Sequence, residues 1–419
     1  MKACLRFGNG GIVKQVPDEK LSWIAQPKQK RPLSDPWATI TSALNDPISS
    51  PSLEALIGQT ETSPEVVITV EDHTRPVPNE VLIPPLLDYL IKAGVPEENI
   101  TLLVATGTHR SLNREESEEF RKVVGQRVRI VNHRSTDEGQ LCQAGRLQFA
   151  DIDTDLQINR EAIEADLLIL TGDIELHLLY GYGGGAKSVL PAIADQETIR
   201  QNHSMLDLPS AHSGQLDNPL RNAAERAADM VGVDFLLSCV LNEDKELIDV
   251  FAGNVHEAFL SGVELVDELY KVPVSERPDL VLVSPGGYPK DINLYQSQKA
   301  VQNTLDVVRP GGKVVLFAEC RDGWGSENFR SWIEECTELE EVKERAQTDF
   351  VIGGHKAYLF AKTRDQVDLY LVSEVPDSRD LRKICTPLTM GQVDDLIQEA
   401  SSIGVLKMGS STLPQLRSA

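Results

Sequence analysis

Three histidines, a lysine and an arginine are the residues of this sequence best suited to chemistry, and several stand beside glycines. In residues 165–205 an apolar run, Leu167 to Leu170, ends at Thr171-Gly172. His177 follows, then Gly181-Tyr182-Gly183-Gly184-Gly185-Ala186-Lys187, and His203 comes sixteen residues after the lysine. Imidazole exchanges protons near neutral pH and is a frequent metal ligand. A lysine amine becomes a good nucleophile when its surroundings lower its pKa. Glycines, lacking Cβ, let backbone come close to a ligand. Upstream, Asp72-His73-Thr74-Arg75 and His109 each follow an apolar run. An arginine so placed can fork onto a carboxylate or phosphate. Downstream, Gln296 and Lys299 lie one turn apart on one helix face, a pair suited to an anionic substrate.

Competing readings of these residues exist. GYGGGAKS nearly matches the phosphate-cradling G-x-x-x-x-G-K-[ST] loop, with Asp72 as a metal-binding acid. Against that, Ala186 replaces the last glycine, and Thr171 to Tyr180 separate the loop from its strand. A purely structural glycine turn and a solvated lysine are the plainer alternatives. No cluster has zinc-site Cys/His spacing and no His-Glu-x-x-His helix is present, but a metal site built from His109, His177 and His203 stays open. His133 and His212 have no assigned role, His256 is expected to be solvated, and His355 in Gly353-Gly354-His355-Lys356 is a minor candidate.

The elements that must position these groups repeat a form: apolar strand, polar loop, helix. Strands are predicted at Val66 to Val70, Ile100 to Ala105, Val128 to Val131 and Leu167 to Leu170, with helices at about 79–93 and 114–124. That is the pattern of an α/β protein with largely parallel sheets. Ligands bind at the carboxyl ends of such strands, where Asp72 to Arg75, His109 and His177 all fall. A hairpin is expected over residues 1–16 and another at FLLSCVL and LIDVFAG. The first domain is expected to span 1–272, with the tail from about 405 packed back on it. The second spans 273–404, with strands at Leu280 to Val283, KVVLFA, KAYLFA and DLYLVS and a helix at about 293–308. The active site is expected in the cleft between the two domains.

Composition bounds the function. The chain has 419 residues, 41% hydrophobic, with 41 basic and 64 acidic residues and a net charge of −23. That balance argues against nucleic-acid binding and against docking on anionic membrane. The six cysteines are scattered without a C-x-x-C pair, which reads as reduced thiols. The start lacks the apolar core of a secretory signal, and no run nears the length of a membrane span. The expected location is cytoplasmic.

Taken together, Asp72-His73-Thr74-Arg75-Pro76, Gly107-Thr108-His109-Arg110, His177 with GYGGGAK, Asn202-His203 and GGYPKDINLYQSQK resemble the nickel-dependent lactate racemase family over about residues 5–410. The resemblance implies a nickel-pincer nucleotide cofactor, a pyridinium-3-thioamide-5-thiocarboxylic acid mononucleotide holding nickel. It implies a covalent bond from one sulfur-bearing arm to Lys187 and nickel ligation by His203. His109 and His177 would exchange protons with the substrate hydroxyl. Asp72, His73, Thr74 and Arg75 would contact the cofactor, and Arg75, Gln296 and Lys299 the substrate. The implied activity is racemisation or epimerisation of a 2-hydroxy acid by hydride transfer to and from the tethered cofactor. Deprotonating that carbon directly is hard, whereas passing a hydride out and back avoids a carbanion. Partners would be a small-molecule 2-hydroxy acid and the proteins that make the cofactor. A P-loop-like nucleotide hydrolase and a non-catalytic nucleotide- or hydroxy-acid-binding homologue are the alternatives. Leu178, Leu179, Tyr180, Tyr295 and Tyr358 are candidates for the pocket wall.

Overall fold

A computed structural model describes residues 1–60, 63–72, 74–208, 210–348, 351 and 353–417. The chain forms two compact units. One comprises Gln29–Glu268, the other Met1–Lys28 with Leu269–Ala419. The expected division therefore differs at both ends. The boundary falls near residue 268, and the first 28 residues and the tail belong with the C-terminal unit.

Strands β1 (Lys2–Phe7) and β2 (Gly10–Gln15) form the expected antiparallel hairpin, and β3 (Leu21–Ala25) follows. The next unit contains β4 (Val66–Glu71), β5 (Ile100–Ala105), β6 (Arg129–Asn132), β7 (Leu141–Phe149), β8 (Ile152–Asn159), β9 (Leu167–Asp173), β10 (Leu176–His177), β11 (Gly181–Tyr182), β12 (Phe235–Leu241) and β13 (Leu247–Gly253). Six of these make one sheet in the order β13-β12-β9-β4-β5-β6. All its pairs are parallel except the β12–β13 hairpin. From β4 the chain winds outward through β5 and β6, then returns to place β9 on the other side of β4. The connection therefore reverses between β4 and β9, where such sheets open a crevice at their carboxyl ends.

The local sequence explains these elements. VVITV of β4 is buried on both faces because the sheet is covered on both. Val66, Ile68 and Val70 enter one core with Leu82, Leu86, Leu102, Val104 and Ile169. Each such side chain contributes roughly 1.5–3 kcal/mol relative to exposure. Thr69 and Glu71, of opposite parity, face the other side. The helix Arg114–Val124 starts at an Asn113 capping box with Glu116. The helix Asn79–Lys92 runs through Pro84 and Pro85 rather than restarting there. Prolines lack the N–H, so the carbonyls of Glu80 and Val81 forgo their usual donors.

The C-terminal unit adds β14 (Lys271–Val274), β15 (Leu280–Val283), β16 (Lys313–Phe317), β17 (Asp368–Val372), β18 (Thr386–Pro387), β19 (Ile403–Leu406) and β20 (Leu413–Leu416). Its sheet, β18-β17-β16-β15-β19-β3, is wholly parallel. The tail was expected on the first unit, but β19 lies beside β15 and β20 pairs with β14. Leu280 and Leu282 face one core, Val281 and Val283 the other. KAYLFA was predicted as a strand and lies instead within the helix Gly354–Gln366. A short apolar run does not separate a buried strand from a buried helix, and this helix is buried on nearly every side. The helix bearing Gln296 and Lys299 is Leu294–Gln302, shorter than predicted. Among the described residues no helix is long and apolar enough to cross a membrane.

Candidate active site

Strand ends bring the first pair together. Asp72 follows β4 and His109 follows β5, and these strands are parallel neighbours in register up to Glu71 and Ala105. The Asp72 Oδ2 lies 2.7 Å from His109 Nδ1. The carboxylate is nearly enclosed, at 2% side-chain exposure, while the imidazole stays 39% exposed. Thr74 donates to Asp72 Oδ1 twice, from its backbone N–H (2.7 Å) and its hydroxyl (2.6 Å). Burial opposes the Asp72 charge, but the bonds from His109 and Thr74 outweigh it and hold the carboxyl down at about 2. An ionised Asp72 can only accept, so His109 carries its proton on Nδ1 and its lone pair on Nε2. His73 lies outside the described residues.

A second group assembles on Tyr180. Its ring is fully buried. The Lys187 Nζ sits 5.5 Å from the ring centroid, and the rings of His177 and His203 meet it edge-on at 5.4 and 5.8 Å. The Tyr180 hydroxyl donates to Asn202, the residue before His203. Tyr180 therefore backs three sequence-nominated groups and does not form an open pocket wall. His203 ends the helix Gln196–His203, capped by Asp195. Its Nδ1 donates to the Ile199 carbonyl at 2.9 Å, which sets the lone pair on Nε2. Burial, with the charges of Lys187 and Arg75, pushes His203 down to about 4 despite that backbone bond. His177 has the other tautomer. Its Nδ1 accepts from the backbone N–H of both Leu179 and Tyr180 at 3.2 Å, so Nε2 carries the proton.

The glycine loop is shaped by packing. A Cβ at Gly184 (φ +75°) would stand 2.4 Å from the Asp173 carbonyl, and one at Gly185 (φ +60°) 2.8 Å from the Phe259 ring. The glycines thus let the loop seat against protein as well as bend. Arg221, which sequence reasoning missed, pins this loop. It is 2% exposed, donates to the carbonyls of Gly184 (3.1 Å) and Tyr182, pairs with Glu225 at 3.1 Å and lies over Phe259. Its signal was available: Arg221, Ala224 and Ala228 share the buried face of the helix Pro219–Val231. His256, expected to be solvated, instead joins Glu225 (2.7 Å) and Asp229 (2.8 Å), which raise it to about 9. His133 is buried, bonded to Ala194 and Asn159.

Charges of both signs meet around Lys187. Burial first, then Arg75 and Arg221, push the amine down to about 7 against the pull of Glu71 and Glu175. Burial works against the Arg75 cation too, but Glu71, Glu175, Asp173 and Asp72 outweigh it and raise its pKa. Glu71 and Asp173 are themselves raised by burial. Lys187 is thus a half-buried lysine whose amine is about half unprotonated at neutral pH, not a solvated surface lysine. Only a four-residue 3₁₀ turn, Gly185–Ser188, follows the loop. The long helix whose N-terminus a P-loop aims at phosphate is missing here, which removes the support for the nucleotide-hydrolase reading. Among the described residues no three His, Cys, Asp or Glu side chains are grouped to hold a metal by themselves. The open three-histidine site is therefore not formed.

Gln296 and Lys299 belong to the C-terminal unit, on a helix capped by Asn293. Gln296 is exposed and Lys299 half-buried.

Comparison with known proteins accounts for both units. The lactate racemase N-terminal domain matches residues 7–214, and the lactate racemase C-terminal domain matches residues 274–406. A lactate racemase of Thermoanaerobacterium thermosaccharolyticum is 34% identical over 344 residues, covering 80% of this chain and 78% of that protein. A lactate racemase of Lactiplantibacillus plantarum is 38% identical over 295 residues, covering 70% of this chain and 68% of that one. The solved lactate racemase apoprotein from T. thermosaccharolyticum superposes with a TM-score of 0.87 at 28% identity, over 99% of this chain and 100% of that one. A Thermotoga maritima crystal structure shares the fold, with a TM-score of 0.66 at 20% identity, over 93% of this chain and 100% of that one. The chain belongs to the lactate racemase family and is an isomerase, a racemase.

Proposed function

We propose that this racemase inverts the C2 centre of a 2-hydroxy acid, lactate or a larger relative, using a nickel-pincer nucleotide bonded to Lys187. The observation that carries the reading is the gathering of Lys187, His177 and His203 on one Tyr180 ring. The residues present suit that cofactor. The Lys187 amine, down at about 7, can attack an acyl carbon. His203, down at about 4, is neutral and offers Nε2, with its Nδ1–H anchored as metal-ligating histidines usually are. When bound, the group supplies a reversible acceptor for the C2 hydrogen and its electron pair.

The chain's own groups do the rest. The Nε2 of His109 takes the hydroxyl proton, and Asp72 stabilises the resulting imidazolium through Nδ1. His177 presents an Nε2–H to the substrate oxygen. The planar 2-keto acid so formed can accept the hydrogen on either face, and its oxygen then takes the proton back from the His109 imidazolium, which inverts the centre and resets the base. The two imidazoles present opposite tautomers, so the two enantiomers meet unlike partners. Arg75, Gln296 and Lys299 are the proposed holders of the substrate carboxylate, with Asp72, His73, Thr74 and Arg75 toward the cofactor. A screen of 2-hydroxy acids tests this, using protein co-produced with the cofactor-making proteins. Conversion of one enantiomer to an equilibrium mixture is expected, and no conversion of any acid by nickel-loaded protein overturns it.

A further inference from the structure

Lys356 occupies an environment that a lysine seldom takes without a reason. It lies in the helix Gly354–Gln366 and is only 7% exposed. Its Nζ donates to Gln298 Oε1 at 2.9 Å and stands 5.4 Å from the centroid of the Tyr295 ring. No carboxylate faces it among the described residues. A buried ammonium without a counter-ion is costly, and a methionine would fill similar space without that cost. The groups it does touch are informative. Tyr295 stands one turn before Lys299 on the same face of the helix Leu294–Gln302, and Gln298, adjacent to Lys299 in sequence, is fully buried. Lys356 thus reaches this helix next to Lys299, one of the nominated anion-holding pair. Burial, then the Lys299 charge, push its amine down to about 7.

We propose that Lys356 is a positioning residue for an anion site on this helix. Near Lys299 it adds a second positive charge, and through Gln298 and Tyr295 it fixes where Gln296 and Lys299 present their polar ends. The ligand class is a carboxylate, and the inference rests on the hydroxy-acid reading above. A bound carboxylate offsets the repulsion between the two amines, so Lys356 takes up a proton as the ligand binds.

Three proteins test this: wild type, Lys356→Met and Lys356→Arg, each nickel-loaded and assayed with whichever 2-hydroxy acid is turned over. Lys356→Met is expected to raise KM about tenfold with kcat little changed, and Lys356→Arg to recover most of that loss. An unchanged KM in a folded Lys356→Met protein overturns the inference. A second measurement needs neither folding of the variant nor turnover. In wild-type protein without cofactor, labelled lysine side chains are titrated by NMR with and without lactate, malate and phenyllactate. A Lys356 midpoint near 7 that climbs with at least one of these acids supports the site. A midpoint indifferent to all three overturns it, even if racemisation is observed. If the midpoint climbs while no acid is racemised, the anion site stands and the catalytic reading falls.

Discussion

Lys187 and Lys356 sit in different units, yet both amines are held at about 7. Burial is the largest cause for each, but the surroundings differ. Lys187 lies among charges of both signs, with Arg75 and Arg221 opposing Glu71 and Glu175. Lys356 has the Lys299 charge beside it and, among the described residues, no acid. The first setting suits a nucleophile, since neighbouring carboxyls can receive the proton its amine must lose. The second suits a dormant cation that becomes charged when an anion arrives. A shared midpoint therefore does not imply a shared role, and the neighbours decide.

The comparison can be broken at several points. Among graded changes, the largest effect is expected at the Asp72–His109 pair. Asp72→Asn removes the charge that stabilises the His109 imidazolium and should lower kcat about a hundredfold. Steady-state kinetics check this, and an unchanged kcat would detach His109 from the chemistry. Lys356→Met comes next, its effect of about tenfold falling on KM rather than kcat. A kcat effect instead would make the two lysines alike.

A smaller shift sharpens the contrast directly. Replacing Arg75 by Met removes a repelling cation, so the Lys187 midpoint should rise by about one unit, whereas Glu71→Gln should lower it by a similar amount. The pH dependence of Lys187 acylation by an amine-reactive reagent, read by peptide mass, measures both. Neither change should move Lys356.

The last prediction concerns stability and isolates the burial effect common to both lysines. His133 has no cation beside it, and burial alone pushes it down to about 4 from 6.5. Between those values the unfolded chain binds more protons than the folded one. Folding stability therefore drops as pH falls through 6.5 and levels off near 4, by up to about 3 kcal/mol. Urea unfolding from pH 7.5 to 4 should show that slope in wild type and a flatter one in His133→Gln.

Much of this was legible in the sequence, for definable reasons. Parallel strands ending in polar loops are local patterns, and topology then dictates that Asp72 and His109 share one sheet edge. The Asp72–His109 bond itself, and the opposite tautomers of His109 and His177, depend on backbone and side-chain geometry that spacing does not encode. Tyr180 looked like a wall because tyrosine is amphipathic, whereas its hydroxyl is used by Asn202. Arg221 received no reading, although its periodicity with alanines places it inward. KAYLFA read as a strand because its length and apolarity fit either element. Residues 1–28 and the tail were misassigned because β3 and β19 pair across almost the whole chain length, which no local pattern reports.

The central claim is that Lys187 is the attachment point, and peptide mass spectrometry with nickel analysis tests it most directly. Protein co-produced with the cofactor-making proteins should carry a mass increase confined to the peptide containing Lys187, with nickel alongside. Lys187→Ala should lack the adduct and racemise nothing. A racemising enzyme whose Lys187 stays unmodified, or a fully active Lys187→Ala, would contradict the account.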